Sequence, residues 1–228
     1  MKRSEINSSI RRAIQLCHTY SIALPPFAHF DPDTWLEKGK EYDEIRECML
    51  GWDITDYGLG QFQTLGLTLI TLRNGKRSSA IYTKPYAEKL LISEENQVCP
   101  MHFHWFKSED IINRNGGILM MQLYTANSHD ELSHETVQVQ QDGRRYQVNA
   151  GAILELSPGE SITLPPRMYH AFWAKPKHGP VLIGEVSLCN DDHNDNRFLE
   201  PIGRFPIIEE DEPAFRMLCT EYPPVKKL

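Results

Sequence analysis

The chain has no run approaching the ~18 consecutive apolar residues that a membrane-spanning helix needs. Its opening, "MKRSEINSSIRRAIQ", interrupts every apolar stretch with Glu5, Arg11 and Arg12, so neither a secretory leader nor a membrane partner is expected. Cysteine is scarce. The five residues, at 17, 48, 99, 189 and 219, are scattered and never spaced as CxxC. Such a set argues against a disulfide framework and fits a reducing compartment, so a cytoplasmic protein is expected. Positive charge is also short. Lys and Arg number 24 against 31 Asp and Glu, a net charge of −7, which argues against broad attraction to nucleic acid or anionic lipid. Internal repeats and low-complexity tracts are missing as well. What remains is 228 residues at 40% hydrophobic content, enough to bury one sizeable core.

Ile6, Ile10, Ala13, Ile14 and Cys17 recur at helical spacing and predict a helix over residues 4–20. "ALPPFAHF" breaks it. "FDPDTWLEKG" then reads as a helix start, with Asp31 as N-cap and Pro32 in the first turn, and helical character continues through "EYDEIRECML". From residue 62 the pattern changes. "FQTLGLTLITLRNG" is a strand ending in Asn74-Gly75, a hairpin signal, and "ETVQVQQDGRRYQVNAG" alternates on both sides of Asp142-Gly143, a second one. "GGILMMQLYTA", "GAILELSPGESITLPPRMYHAFWA" and "PVLIGEVSLC" continue in the same manner. Short strands separated by turn residues indicate a sandwich, jelly roll or barrel.

The chemistry concentrates in "CPMHFHWFKSEDIINRNGG", residues 99–117. His102 and His104 are two apart on a predicted strand, so both rings project to one face. Imidazole is the commonest protein ligand for metals. Glu109 follows a short irregular stretch that can bring its carboxylate to the same point. His170, just after the Pro-Pro turn of "LPPRMYHAFWA", is the best candidate for a fourth ligand. Three imidazoles and a carboxylate suit Mn, Fe, Co, Ni or Zn.

These residues resemble the two cupin motifs. The first is a glycine, His-X-His, a glutamate and a further glycine, met here by His102, His104, Glu109 and Gly116. The second is met by Gly159, Pro165 and His170. The sequence departs from the pattern at Asn96 and Arg167, where the motifs carry glycine, and at Ala174, where they carry asparagine. The resemblance implies a mainly β fold: a single cupin, a double-stranded β-helix or jelly-roll barrel, with an α-helical N-terminal extension. The expected organisation is a helical extension at 1–61, the cupin barrel at 62–200 and a tail packed on the barrel at 201–228, as one domain.

"HFHWFKSEDIINRNGG", "LPPRMYHAFWA" and "GEVSLCNDDHNDNRF" together resemble the D-lyxose ketol-isomerase family of sugar isomerases. That resemblance implies a Mn-dependent, homodimeric enzyme interconverting D-lyxose and D-xylulose, and D-mannose and D-fructose, with a free monosaccharide as its partner. It places metal ligands at His102, His104, Glu109 and His170. Aldose–ketose isomerisation moves a proton between C1 and C2, which needs a general base. Glu185 shares a strand face with Val181 and Ile183, an unusual place for a carboxylate unless that face lines a polar cavity; it is the first choice of base, with Glu200 in reserve. Lys107 is assigned to moving a proton to, or neutralising, the sugar oxygens. Phe172 is expected to offer an apolar wall, and Asp192, Asp195, Arg197 and Glu200 to contact the sugar. Three other readings stay open: a cupin phosphosugar isomerase using Arg73, Lys76, Arg77 and Lys84 as a phosphate cradle, an iron-dependent cupin dioxygenase, and a non-catalytic sugar sensor.

Overall fold

Two hydrophobic periodicities build the protein. Helix α1 (Arg3–Thr19) buries Ile6, Ile10, Ala13, Leu16 and Cys17 along one face, the stripe of an amphipathic helix. Short helices α2 (Pro32–Leu36) and α3 (Asp43–Glu47) follow. The Asp31 carboxylate caps α2 by accepting the Thr34 N–H at 2.7 Å, with Pro32 at a position where no N–H is needed. The remainder is β-structure: β1 (Gly51–Thr55), β2 (Leu67–Arg73), β3 (Tyr86–Ser93), β4 (Val98–Phe103), β5 (Glu109–Gly116), β6 (Leu119–Thr125), β7 (Val137–Gln141), β8 (Arg144–Val148), β9 (Ile153–Leu156), β10 (Ser161–Leu164), β11 (Met168–Ala174), β12 (Val181–Leu188) and β13 (Arg197–Phe198). This computed structural model describes residues 1–225. No helix among them is long and apolar enough to cross a membrane.

The strands form two sheets. One has eight strands in the order β1-β2-β3-β12-β5-β10-β7-β8, the other five in the order β13-β4-β11-β6-β9. Leu69, Leu91, Ile111, Ile162 and Ile183 of the larger sheet pack against Cys99, Met121, Leu123 and Phe172 of the smaller one. Ile70, Leu90, Ile92 and Leu182, on the opposite face of the larger sheet, pack against Ile6, Ile10 and Cys17 of α1. Strands β2 and β3 are therefore apolar on both faces, which is why "LTLITL" and "KLLI" lack strict alternation.

The expected closed barrel is not what forms. A barrel gives every strand two neighbours, whereas here β1, β8, β9 and β13 each end a sheet. The outer side of β1 is covered by the C-terminal segment, with the Cys219 N–H donating to the Trp52 carbonyl at 2.7 Å. β13 is only two residues long, and short edge strands are a usual way to stop further pairing. The architecture is two open, facing sheets with a helix outside the larger one. Sheet structure also starts before residue 62, since β1 spans Gly51–Thr55.

The two hairpin signals had different fates. Asp142 and Gly143 have φ of 49° and 78°, and they join β7 directly to β8, as a tight turn with two left-handed residues does. Asn74-Gly75 opens a loop instead, because β3 begins only at Tyr86. The Asn74 amide is committed elsewhere: Nδ2 donates to the carbonyls of Cys48 and Asn190, and Oδ1 accepts the Asn190 N–H. Asn96 and Arg167, standing where the motifs carry glycine, adopt the glycine-like φ of 64° and 65°. Arg167 is retained in this conformation by an ion pair to Asp130 at 2.7 Å and by lying over the rings of Phe103 and Trp105.

Ile10 is fully buried between α1 and the larger sheet. Ile10→Ala is expected to cost about 2–5 kcal/mol, read as a lower urea midpoint at unchanged slope.

Candidate metal centre

The two sheets meet at a cluster of buried polar side chains. His102 lies near the end of β4 and His104 just beyond it, and His170 on β11 pairs directly with His102 across the ladder. The smaller sheet therefore supplies all three rings. Each Nδ1 faces a backbone carbonyl: His102 that of Pro100 at 2.7 Å, His104 that of Asp195 at 2.9 Å, and His170 that of Met168 at 3.0 Å. A carbonyl only accepts, so Nδ1 carries a hydrogen and Nε2 is the nitrogen left to ligate when the ring is neutral. The ligand nitrogens lie within 4.8 Å of one another. Burial, with the neighbouring His170 and His104, holds the His102 imidazolium well below its ordinary pKa. Burial and the Lys107 charge lower that of His104. Neutral rings are the form that ligates.

Glu109 comes from the opposite sheet, at the start of β5. Its Oε1 stands 3.1 Å from His170 Nε2 and 3.5 Å from His104 Nε2, while Lys107 Nζ pairs with Oε2 at 2.7 Å. Burial alone would raise the Glu109 pKa; the Lys107 charge outweighs it and holds the carboxyl well below the carboxylate range. Three clustered imidazoles, with the Glu109 carboxylate against two of them, fit a divalent cation of the Mn-to-Zn series.

These side chains line one small, partly open cavity between the two sheets. Glu185 on β12 lines it, 4% exposed. Its Oε1 receives Lys107 Nζ at 2.9 Å and lies 3.2 Å from Lys89 Nζ and from Ser187 Oγ. Among the described residues no donor reaches Oε2. Burial would raise the Glu185 pKa, but Lys107 and Lys89 lower it, so the carboxylate is ionised at neutral pH. For Lys107 the balance runs the other way: burial opposes its charge, and Glu109 and Glu185 raise its pKa. Phe172, Tyr57, Leu69 and Phe198 supply an apolar wall.

The remaining expected sugar contacts separate. Asp192 lines the cavity, but Arg204 Nε at 3.1 Å and Asn190 Nδ2 at 2.7 Å occupy its carboxylate. Asp195 does not line the cavity. Its two oxygens accept the N–H groups of Phe106 and Lys107 at 2.8 and 3.0 Å, and its carbonyl faces His104, so it shapes the turn between the ligands. Arg197 turns its guanidinium to the Phe198 carbonyl and Glu200 is exposed; neither lines the cavity. Arg204, Asn196, Tyr57 and Lys89 line it and are not apparent from motif reading. Lys89 had a usable signal, because alternation puts it on the inward face with Leu91. The other three sit outside regular strands, where no periodicity applies.

A profile of the D-lyxose isomerase family matches residues 1–222. The D-lyxose/D-mannose isomerases of Escherichia coli O157:H7 and Serratia proteamaculans are each 48% identical over 97% of this chain and 98% of their own length. Among solved structures, the L-ribose isomerase of Cellulomonas parahominis has a TM-score of 0.63 at 15% identity, covering 92% of this chain and 98% of that one; at that identity the likeness concerns the fold.

Anything that binds only the folded state raises its stability. Adding Mn after chelation is therefore expected to raise the thermal midpoint of the wild type and to leave that of His170→Ala unchanged. Asp192 supplies a pH test. Burial would raise its pKa, yet Arg204 and Lys89 lower it far more. A carboxyl depressed in the fold stabilises fully above its unfolded pKa of about 3.9 and loses that contribution as pH falls toward the folded value. The urea midpoint of the metal-free protein should drop as pH falls below roughly pH 5, and the drop should be shallower in Asp192→Asn.

Proposed function

Because the chain belongs to the D-lyxose isomerase family, we propose that it is a metal-dependent aldose–ketose isomerase interconverting D-lyxose with D-xylulose and D-mannose with D-fructose by proton transfer through an enediol. The observation that carries this reading is Glu185: a buried, ionised carboxylate with Oε2 unengaged, in the same cavity as the three imidazoles and Glu109. A divalent ion held by His102, His104, Glu109 and His170, Mn in our reading, supplies polarisation of the two sugar oxygens beside the reacting C–H bond.

The chain's own groups then have separable tasks. Glu185 Oε2 takes the proton from one carbon and returns it to the other. Lys107 Nζ, between Glu109 and Glu185, moves a proton to or from the adjacent sugar oxygen. As that positive charge leaves, Glu185 becomes more basic, because the nearest charge holding its pKa down has gone. Phe172 presents a flat apolar wall to the sugar carbons, and burial of the site excludes bulk water. Asp192, held by Arg204, contacts sugar hydroxyls at the cavity mouth. The enzyme is placed in the cytoplasm, supported by five free cysteines, and as a homodimer, supported by the family resemblance.

The side chains of the basic loop lie outside this cavity. Lys76 and Lys84 pair with Glu47 and Glu44, Arg73 pairs with Glu88, and Arg77 lies 4.1 Å over the Phe106 ring. None of the four lines the cavity, which favours a free sugar over a phosphosugar. The charged lining likewise suits a polyol better than the apolar pocket of a dioxygenase.

The deciding assay is a panel of free aldoses, phosphosugars and aromatic diols, with Mn or Fe added back after chelation. Turnover of D-lyxose and D-mannose is expected; activity confined to phosphosugars or accompanied by oxygen consumption would overturn the reading. Glu185→Gln should cut kcat by roughly 10²–10⁴-fold with metal content unchanged. Isomerisation in deuterated water should place deuterium on the sugar at C1 or C2, and its complete absence would favour a hydride shift.

A further inference from the structure

Lys89 faces Glu185 directly across the β3–β12 ladder and is 3% exposed. A lysine so buried is held by partners. Its Nζ lies 3.2 Å from Glu185 Oε1 and donates to Asn190 Oδ1 at 2.6 Å. Asn190 is fixed in turn: its N–H donates to Asn74 Oδ1 at 3.0 Å and its Nδ2 to Asp192 at 2.7 Å. Lys89 therefore has a rigid anchor on one side and Glu185 on the other. Lys107 is placed differently. It is shared between Glu109 Oε2 at 2.7 Å and Glu185 Oε1 at 2.9 Å, and reaches Asn190 Oδ1 only at 3.4 Å, against 2.6 Å for Lys89. Ser187 is a weak substitute, because its one hydroxyl hydrogen is also within reach of the Leu188 carbonyl at 2.8 Å.

We propose that Lys89 is the positioning residue of Glu185: it holds Oε1 from the β3 side, away from the ligands, so that Oε2 stays turned into the cavity. This rests on the reading of Glu185 as the base. The need for a second anchor follows from the reaction. One carboxylate oxygen must meet two adjacent carbons in succession, and a displacement of about 1 Å in such a group costs on the order of 10²-fold in rate. Lys107 alone does not fix Glu185, because Glu109 Oε2 draws the same ammonium at 2.7 Å. Asn190, which holds Lys89, is itself tied to the Asn74 side chain outside the cavity.

The test is a double-mutant cycle of Lys89→Met and Glu185→Gln in the metal-loaded enzyme, read on D-mannose with and without deuterium at C2. Lys89→Met should lower kcat about 10–100-fold, leave KM within about twofold and raise the primary isotope effect on kcat. In the Glu185→Gln background the same substitution should change kcat less than about twofold, since there is no base left to position. A crystal structure of metal-free Lys89→Met should show Glu185 swung toward Lys107. If Lys89→Met does not fold, Lys89→Gln carries the same cycle, with the same non-additivity expected. Losses that multiply across the cycle, or a kcat kept within twofold in Lys89→Met while Glu185→Gln is inactive, would overturn the role of Lys89 and leave Glu185 standing. Near-normal turnover in Glu185→Gln would instead remove the base assignment, and this inference with it.

Discussion

Everything at the centre of this protein depends on compensating charge away from water. Glu109 and Glu185 are carboxylates inside a sandwich, and either one alone would be too costly to keep ionised there. Lys107 resolves the conflict by reaching both, at 2.7 and 2.9 Å. The pair comes from the larger sheet and the three imidazoles from the smaller one, so the ion-binding group exists only when the two sheets face each other. The apolar packing of Leu69, Leu91, Ile111, Met121 and Phe172 holds that spacing. Hydrophobic burial thus sets the distance at which the charges meet, and the charges decide what the gap can do.

The same logic extends outward through residues 190–204. Arg204 joins Asp192 to Asp53, Asn190 joins Asp192 to Lys89, and Asp195 binds the backbone of the turn that carries Lys107. This segment is irregular, yet its polar side chains are mostly paired. Buried or half-buried loops need such pairing, because they lack a ladder to satisfy their backbone groups. The consequence for the site is precision: the His104 ring and the Lys107 main chain are held by one residue, Asp195, which does not line the cavity.

Legibility in the sequence followed periodicity. Glu185 could be found because strand alternation puts it with Val181 and Ile183, and the same argument applied to "AEKLLIS" would have flagged Lys89 beside Leu91. Asp195 and Arg197 were plausible sugar contacts by residue type, but only the folded loop shows where their polar atoms are spent. Closure of the sheets was equally hidden. The motif glycines and histidines are compatible with a barrel, and whether β1 finds a neighbour depends on where the C-terminal segment lies, which no local pattern encodes.

By itself, the sequence determined the amphipathic helix, the strand alternation, the Asp142-Gly143 turn and the pairing of His102 with His104 two residues apart. These follow from local geometry, in which a side chain's direction depends on its own few neighbours. The tertiary structure alone decided that the sheets stay open, that Asn74 anchors a loop instead of turning a hairpin, and that Glu185 has one oxygen clamped by two lysines and the other unengaged. Those are long-range outcomes: each depends on which distant group arrives at a distance of about 3 Å, the range over which hydrogen bonds and ion pairs act.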